Sequence, residues 1–343
     1  MAPLKILILK PSSLGDVVHA LPVLRLIKGN LPDSQIHWWI DARLASLLEG
    51  DPDLTAVHHF VRKGWHAPAG WSHNLRTALR LRRERFDWVL DLQGLARSAL
   101  FAWLADGGLA LGPDSGREAT GVFYDRLIAR PSPDAHAVDW NLDFVRALGL
   151  ETKLPFDWLP VRAAVALAVR HQARQSGGLG RWIVFCPGAR WENKRWPLEH
   201  FRDLAGQLCA ADPTLRIAVV GSAEDRPLGA ALAGKQVLDL TGQTTLHELI
   251  EWLRMATVVV SNDSAPLHLA AAMGRPVVAL FGPTNARRTG PYGAPGSALQ
   301  LRLPCVPCQS RTCSWDIPVE CLKALSPGLV ATAVGVHLRA AGA

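Results

Sequence analysis

Three short stretches of this chain gather residues that could move a proton or hold a phosphorylated ligand. The first is Lys10-Pro11-Ser12-Ser13-Leu14-Gly15-Asp16, where an apolar run ends in two serines, a glycine and a carboxylate. Asp16 is a candidate general base, able to take a proton from an attacking hydroxyl. Gly15 beside it would let a substrate approach closely. The competing reading is an acid in the first turn of a helix, worth about 0.3–1 kcal/mol against the helix dipole. Spacing alone does not separate the two.

The second stretch, CPGARWENKRWP, places Arg190, Lys194 and Arg195 within six residues. Lys194 is a point charge suited to a phosphate, and Arg190 can fork onto two oxygens. A solvated basic loop is the alternative. The third stretch is SNDSAPLH. Asp263 and Ser264 precede a helical run, Leu267 to Met273. The free N–H groups and positive dipole end of that helix suit a diphosphate. Ser264 adds a hydroxyl donor. Asp263 has the wrong charge for phosphate, but it can accept from a ribose or sugar hydroxyl. His268 lies one turn further on. Taken alone, this turn is equally a helix cap.

Several chemistries are disfavoured by what is missing. There is no G-x-x-x-x-G-K-[ST], which counts against a P-loop nucleotidase. No G-x-G-x-x-G follows the first strand, which counts against a dinucleotide oxidoreductase. No D-x-D pair stands ready to hold a metal against a diphosphate. A metal-free scheme fits better, with Lys194 and a helix dipole carrying the leaving-group charge.

The elements that must position these residues alternate strand and helix, twice over. LKILILK, QIHWWID and FDWVLDLQG are expected strands in the first half, with helices over 16–28, 72–85 and 135–148. LETKLPFDWLP, residues 150–160, has two prolines and little periodicity and is expected to link two domains, 1–160 and 161–343. The second half restarts with a helix over 163–175. Strands follow in RWIVFCPG, LRIAVVGS, VLDLTG, ATVVVSND and PVVALFGP, and a last helix covers 327–340. That helix, with the linker, is the expected hinge and is expected to pack back on the first domain. The fold class is therefore α/β, two Rossmann-like, doubly wound parallel sheets facing a cleft. Ligands of such sheets bind at the carboxyl ends of strands, where KPSSLGD, DLQG, CPGARWENKRWP, GSAED and SNDSAPLH all fall.

Composition sets looser bounds. The 343 residues are 49% hydrophobic and 20% charged, enough for two cores, and the formal net charge is +7. A basic surface favours anionic partners. Arg and Trp are scattered rather than striped, which counts against nucleic acid. The helix bearing Arg76, Arg80, Arg82, Arg83 and Arg85 is either a contact for anionic headgroups or a solvated face. The run Leu4 to Leu9 is too short for a signal-peptide core, and no run nears the ~20 apolar residues that cross a bilayer. The expected location is cytoplasmic, free or peripheral on the inner face of the inner membrane.

Four cysteines cluster late in the pattern C-x2-C-x4-C-x7-C: Cys305, Cys308, Cys313 and Cys321. They are candidates for a structural zinc knot, against the alternative of reduced thiols. No other cofactor is expected.

The ordered set of motifs resembles the bacterial heptosyltransferases of lipopolysaccharide core synthesis, glycosyltransferase family nine. It comprises K-x-S-S-x-G-D-V-x-H-x-L-P (Lys10 to Pro22), D-x-Q-G (Asp91 to Gly94), P-G-A-R-W-x-x-K-R-W-P (Pro187 to Pro197), G-S-x-x-D (Gly221 to Asp225), D-S-x-x-x-H (Asp263 to His268) and F-G-P-T (Phe281 to Thr284). KPSSLGDVVHALP and FDWVLDLQGLARSA are most similar to the heptosyltransferase I branch. The resemblance implies a GT-B fold and an inverting, metal-independent transfer of heptose from ADP-heptose to Kdo of lipid A. It implies Asp16 as the base. Arg190, Lys194, Asp263, Ser264 and His268 would serve the donor diphosphate and sugar, and Ser222 and Asp225 the nucleoside. Ser12, Ser13, Gly15, Gln93, Arg62, Lys63 and Arg117 would serve the acceptor. Two other readings stay open: a family-nine enzyme with another donor or acceptor, such as a heptosyltransferase II type, and a non-catalytic binder of anionic glycolipid.

Overall fold

The computed structural model describes residues 3–61 and 68–341. The chain divides after Pro160 into two compact units. The first unit holds β1 (Lys5–Leu9), β2 (Gln35–Asp41), β3 (Ala56–Phe60), β4 (Trp88–Asp91), β5 (Leu109–Asp114) and β6 (Arg126–Ala129). They form one sheet in the order β3-β2-β1-β4-β5-β6, every pairing parallel. The second unit repeats the plan with β7 (Trp182–Cys186), β8 (Arg216–Val219), β9 (Val237–Asp239), β10 (Val258–Asn262), β11 (Val277–Phe281) and β12 (Ala298–Gln300). Its order is β12-β11-β10-β7-β8-β9, again all parallel.

Each sheet follows from its strands. KILIL, WIVFC and VVALF are near-continuous apolar runs, as strands covered by helices on both faces must be. The strand order reverses between β1 and β4 and again between β7 and β10. Those two switch points, at the carboxyl ends, are where a doubly wound sheet opens a crevice for a ligand. The four loops that leave them carry Asp16, Gln93, Lys194 and Asp263.

Helices Ala163–Gln175 and Pro327–Ala340 have the bounds expected from the sequence, and Leu198–Ala211 follows β7. The first helix starts earlier, at Leu14, which makes Ser13 its cap and puts Asp16 in its first turn. The last helix packs on Leu198–Ala211 and on β10 and β11, with Val330 and Val334 in the core of the second unit. In the first unit Arg25 holds the linker. Its guanidinium pairs with Asp51 through Nη1 at 2.6 Å and Nη2 at 2.5 Å, and with Asp53 at 2.7 Å, and it donates to the Trp158 carbonyl at 3.1 Å. A buried guanidinium needs such full pairing, because an unpaired charge there is costly.

Among the described residues, no helix is long and apolar enough to cross a membrane. On helix Pro68–Glu84, Arg76, Arg80, Arg82 and Arg83 are exposed, as are Leu75 and Leu79.

A histidine pair joins β2 to β3. The His37 and His58 rings stack at 5.2 Å and share a 2.9 Å contact between Nδ1 and Nε2. Burial first, and then His37, pushes the pKa of His58 down to about 4; Glu84 opposes this, and Arg80 and His59 add to it. His37 is lowered too, chiefly by burial. In the unfolded chain His58 would take its proton near pH 6.5. Between that value and pH 4 the unfolded state holds more protons than the folded one, so stability falls as pH drops through that window. Urea midpoints measured from pH 6.5 down to pH 4 should fall in the wild type, and His58→Gln should flatten that slope. An unchanged slope in the variant would contradict this reading.

Candidate active site

The second unit brings its site residues together around one carboxylate. Asp263 stands at the end of β10, its side chain 5% exposed. Its Oδ2 accepts from the Lys194 ammonium at 2.6 Å and from the Thr284 hydroxyl at 2.6 Å. His268 Nε2 lies 3.8 Å from Oδ1. Lys194 comes from the loop after β7 and Thr284 from the loop after β11, so three strand ends meet at this group. Asn262 staples two of them: its Nδ2 donates to the Pro187 carbonyl at 2.7 Å and its Oδ1 accepts from Trp196 N at 3.0 Å. Gln300 holds the third by donating to the carbonyls of Gly282 and Thr284, at 3.0 and 2.6 Å. The Lys194 ammonium also rests over the Trp191 ring, 4.5 Å from its centroid. Ser264 caps helix Ala265–Ala272, whose first N–H groups face the same turn.

Arg190 is exposed at the tip of the loop after β7, and Arg195 turns back to donate to the Ala189 carbonyl at 3.0 Å. Ser222 and Asp225 follow β8. The Asp225 carboxylate is held by its neighbour: Oδ2 accepts from the Ser222 N–H and hydroxyl, both at 2.8 Å. It also lies against Gly188, where any Cβ would fall 2.5 Å from Oδ1. Asp225 therefore shapes the Pro-Gly-Ala-Arg turn, which only a residue without a side chain can take at this position.

In the first unit Asp16 repeats that device. Its Oδ2 accepts from Ser13 N at 2.9 Å and Ser13 Oγ at 2.7 Å. Among the described residues, no hydrogen bond reaches Oδ1. The helix-cap and general-base readings are therefore compatible: one oxygen fixes the rotamer and the other remains for a substrate. Gly15 is buried beneath, with Ser12 half-buried. Next door, the Lys10 ammonium donates to the Leu92 carbonyl at 2.6 Å and joins the loops after β1 and β4. Asp91 at the end of β4 is fully buried. It accepts from Tyr124 Oη at 2.6 Å and from the N–H groups of Gln93 and Gly94 at 2.8 and 3.1 Å. Burial raises its pKa against those hydrogen bonds. Among the described residues, the buried Gln93 Oε1 has no hydrogen-bond partner.

Arg62 and Lys63 lie outside the described residues, as does the side chain of Arg117, whose backbone opens the turn Arg117–Phe123. Cys305, Cys308, Cys313 and Cys321 are free thiols. Burial pushes Cys321 up to about 11, and Cys313, Cys305 and Cys308 push it the same way, which puts all four in one neighbourhood. Among the described residues, no three His, Cys, Asp or Glu side chains are grouped as a metal's ligands would be.

The motifs pointed to Lys194, Asp263, Ser264 and His268, and the structure joins them. They did not point to Thr284, Trp191 or Asn262. Thr284 stood in the F-G-P-T motif with no role; its hydrogen bond can be read only once the end of β11 is placed beside that of β10. Because Lys194 and Asp263 are in contact and little exposed, their removal should not be additive. A double-mutant cycle on Lys194→Ala and Asp263→Ala, followed by chemical unfolding, should give a coupling of about 0.5–3 kcal/mol. Additivity would contradict the pairing.

Known proteins bear on this geometry in three ways. The model of glycosyltransferase family 9 (heptosyltransferase) matches residues 74–317. The lipopolysaccharide heptosyltransferase 1 of Pseudomonas aeruginosa is 29% identical, over 98% of this chain and 99% of its own. The lipooligosaccharide heptosyltransferase 2 of Haemophilus influenzae is 28% identical, over 87% and 89%. Among solved structures, that of the Escherichia coli heptosyltransferase WaaC with ADP superposes with a TM-score of 0.76 at 26% identity, covering 97% of this chain and all of that one. With the family model spanning well over half of the chain, the chain belongs to glycosyltransferase family 9.

Proposed function

We propose that this protein transfers a heptose from ADP-heptose to the Kdo of a lipid A acceptor, with inversion at the anomeric carbon and without a metal. The observation that carries the reading is the convergence of Lys194, Asp263 and Thr284 beside a helix N-terminus, in a family whose relatives are heptosyltransferases, one of them solved with ADP.

In this scheme the second unit holds the donor. Lys194 and the first N–H groups of helix Ala265–Ala272 face the diphosphate and take up charge as it leaves. Asp263 accepts from a sugar hydroxyl through Oδ1 while Oδ2 stays with Lys194 and Thr284. A carboxylate already paired with an ammonium is a poor metal ligand, which favours the metal-free scheme. The first unit supplies the base. Asp16, its rotamer set by Ser13, removes the proton from an acceptor hydroxyl. The hydroxyl oxygen bonds to the anomeric carbon on the face opposite the diphosphate, and the bond from that carbon to the phosphate oxygen breaks. The electron pair leaves with ADP, and the proton stays on Asp16.

Relatives of both heptosyltransferase types match at 28–29% identity, so the acceptor is the finer part of the proposal. An assay that reads ADP release with a Kdo-bearing and a heptose-bearing acceptor separates the two types. With the preferred acceptor, Asp16→Ala should lower turnover by about 10²–10⁴-fold, the usual worth of a positioned base, while ADP affinity is kept. Turnover that survives in the variant would remove Asp16 as the base.

A further inference from the structure

The cysteine-rich segment is a motif that the proposed reaction leaves unused. Its middle, Gln309-Ser310-Arg311-Thr312, lies on the donor loops. The Gln309 N–H donates to the Pro283 carbonyl, next to Thr284, at 2.8 Å. Asn193, next to Lys194, donates through Nδ2 to the Ser310 carbonyl at 3.0 Å. Ser310 then closes a turn about Arg311: its hydroxyl donates to the Thr312 carbonyl at 2.7 Å and accepts from the Thr312 N–H at 3.3 Å. The ends are pinned as well. Cys313 Sγ accepts from the Val319 N–H at 3.2 Å, and Cys321 packs on Gly282, where a Cβ would meet its Sγ at 3.1 Å.

This places the exposed Arg311 guanidinium 5.5 Å from the centroid of the Trp191 ring, the same ring that carries the Lys194 ammonium at 4.5 Å. Two cations on one indole repel each other unless an anion joins them. Lys194 already has its anion in Asp263. Among the described residues, Arg311 meets no carboxylate within ion-pair distance. The Lys194–Asp263 pair is close to neutral and cannot by itself balance a diphosphate. A guanidinium beside it can, because its planar fork matches two phosphate oxygens.

We infer that Arg311, carried to the donor site by the cysteine-rich segment, is a diphosphate-binding residue of this enzyme. The inference rests on the reading that the second unit binds a nucleotide diphosphate. It explains why a segment rich in prolines and thiols folds over the ends of β7 and β11: its task is to hold one unpaired cation beside Lys194.

The test is calorimetric titration of the full chain with ADP and with adenosine, in the wild type, Arg311→Ala and Arg311→Lys. The loss of a charge-assisted hydrogen-bond pair predicts a roughly tenfold or larger drop in ADP affinity for Arg311→Ala. The drop should shrink at high salt. Arg311→Lys should recover part of it, and adenosine affinity should not change. ADP binding by Arg311→Ala at wild-type strength would overturn the assignment. So would an equal loss for ADP and adenosine, the mark of a disturbed loop. A wild type that binds neither ligand would fail differently, bringing down the diphosphate reading itself.

Discussion

A buried carboxylate must be paired, and that requirement organises the second unit of this protein. Asp263 sits at the point where the strand order of its sheet reverses, with its side chain only 5% exposed. Lys194 and Thr284 answer it from two other strand ends. Three loops are thereby tied to one group, and the ends of β7, β10 and β11 become a single surface. Without Lys194 the carboxylate would be an uncompensated charge, which costs several kcal/mol. In the proposed reaction the same bond orients the ammonium toward the donor diphosphate.

The first unit solves the same problem with other parts. Asp91, fully buried at the switch point of that sheet, is satisfied by Tyr124 and by the backbone of its own turn. Among the described residues, no side-chain cation is drawn in. The acid on offer is Asp16, held by Ser13 on one oxygen only. The two units share a topology and differ in which carboxylate is neutralised and which is left with a free oxygen. That difference matches the division of labour proposed for them, charge stabilisation in one and proton removal in the other. The serine-to-aspartate clasp recurs at Ser222 and Asp225, where the acid lies deeper and against Gly188.

Much of this could be read from the chain. Long apolar strands and amphipathic helices announce themselves by period, and the linker by its prolines, so the two-sheet architecture followed directly. The motif residues Asp16, Lys194 and Asp263 also stood out, but only as an ordered set of motifs, since each turn taken alone reads equally as a helix cap or a solvated loop. Short strands were harder. LALGPD and ALQ carry glycine or proline, or too few residues, and they become strands only because a neighbour offers its edge. Contacts across the fold were not legible at all. Nothing in the spacing says that Thr284 bonds Asp263 from 21 residues away. Nor does it say that Ser310 meets Asn193 across 117 residues, and on that contact the placement of Arg311 depends.

The central claim is that a base in the first unit drives a direct displacement on a donor held by the second. The configuration of the product tests it most directly. Wild-type protein would be given ADP-heptose and a Kdo-bearing lipid A acceptor, and the new glycosidic bond assigned by NMR from its one-bond carbon–proton coupling. The account predicts a single product whose anomeric configuration is opposite to that of the donor. A product that keeps the donor's configuration would contradict it, because retention requires attack on the donor from the same face as the departing diphosphate, or a covalent intermediate, and neither fits a lone base at Asp16.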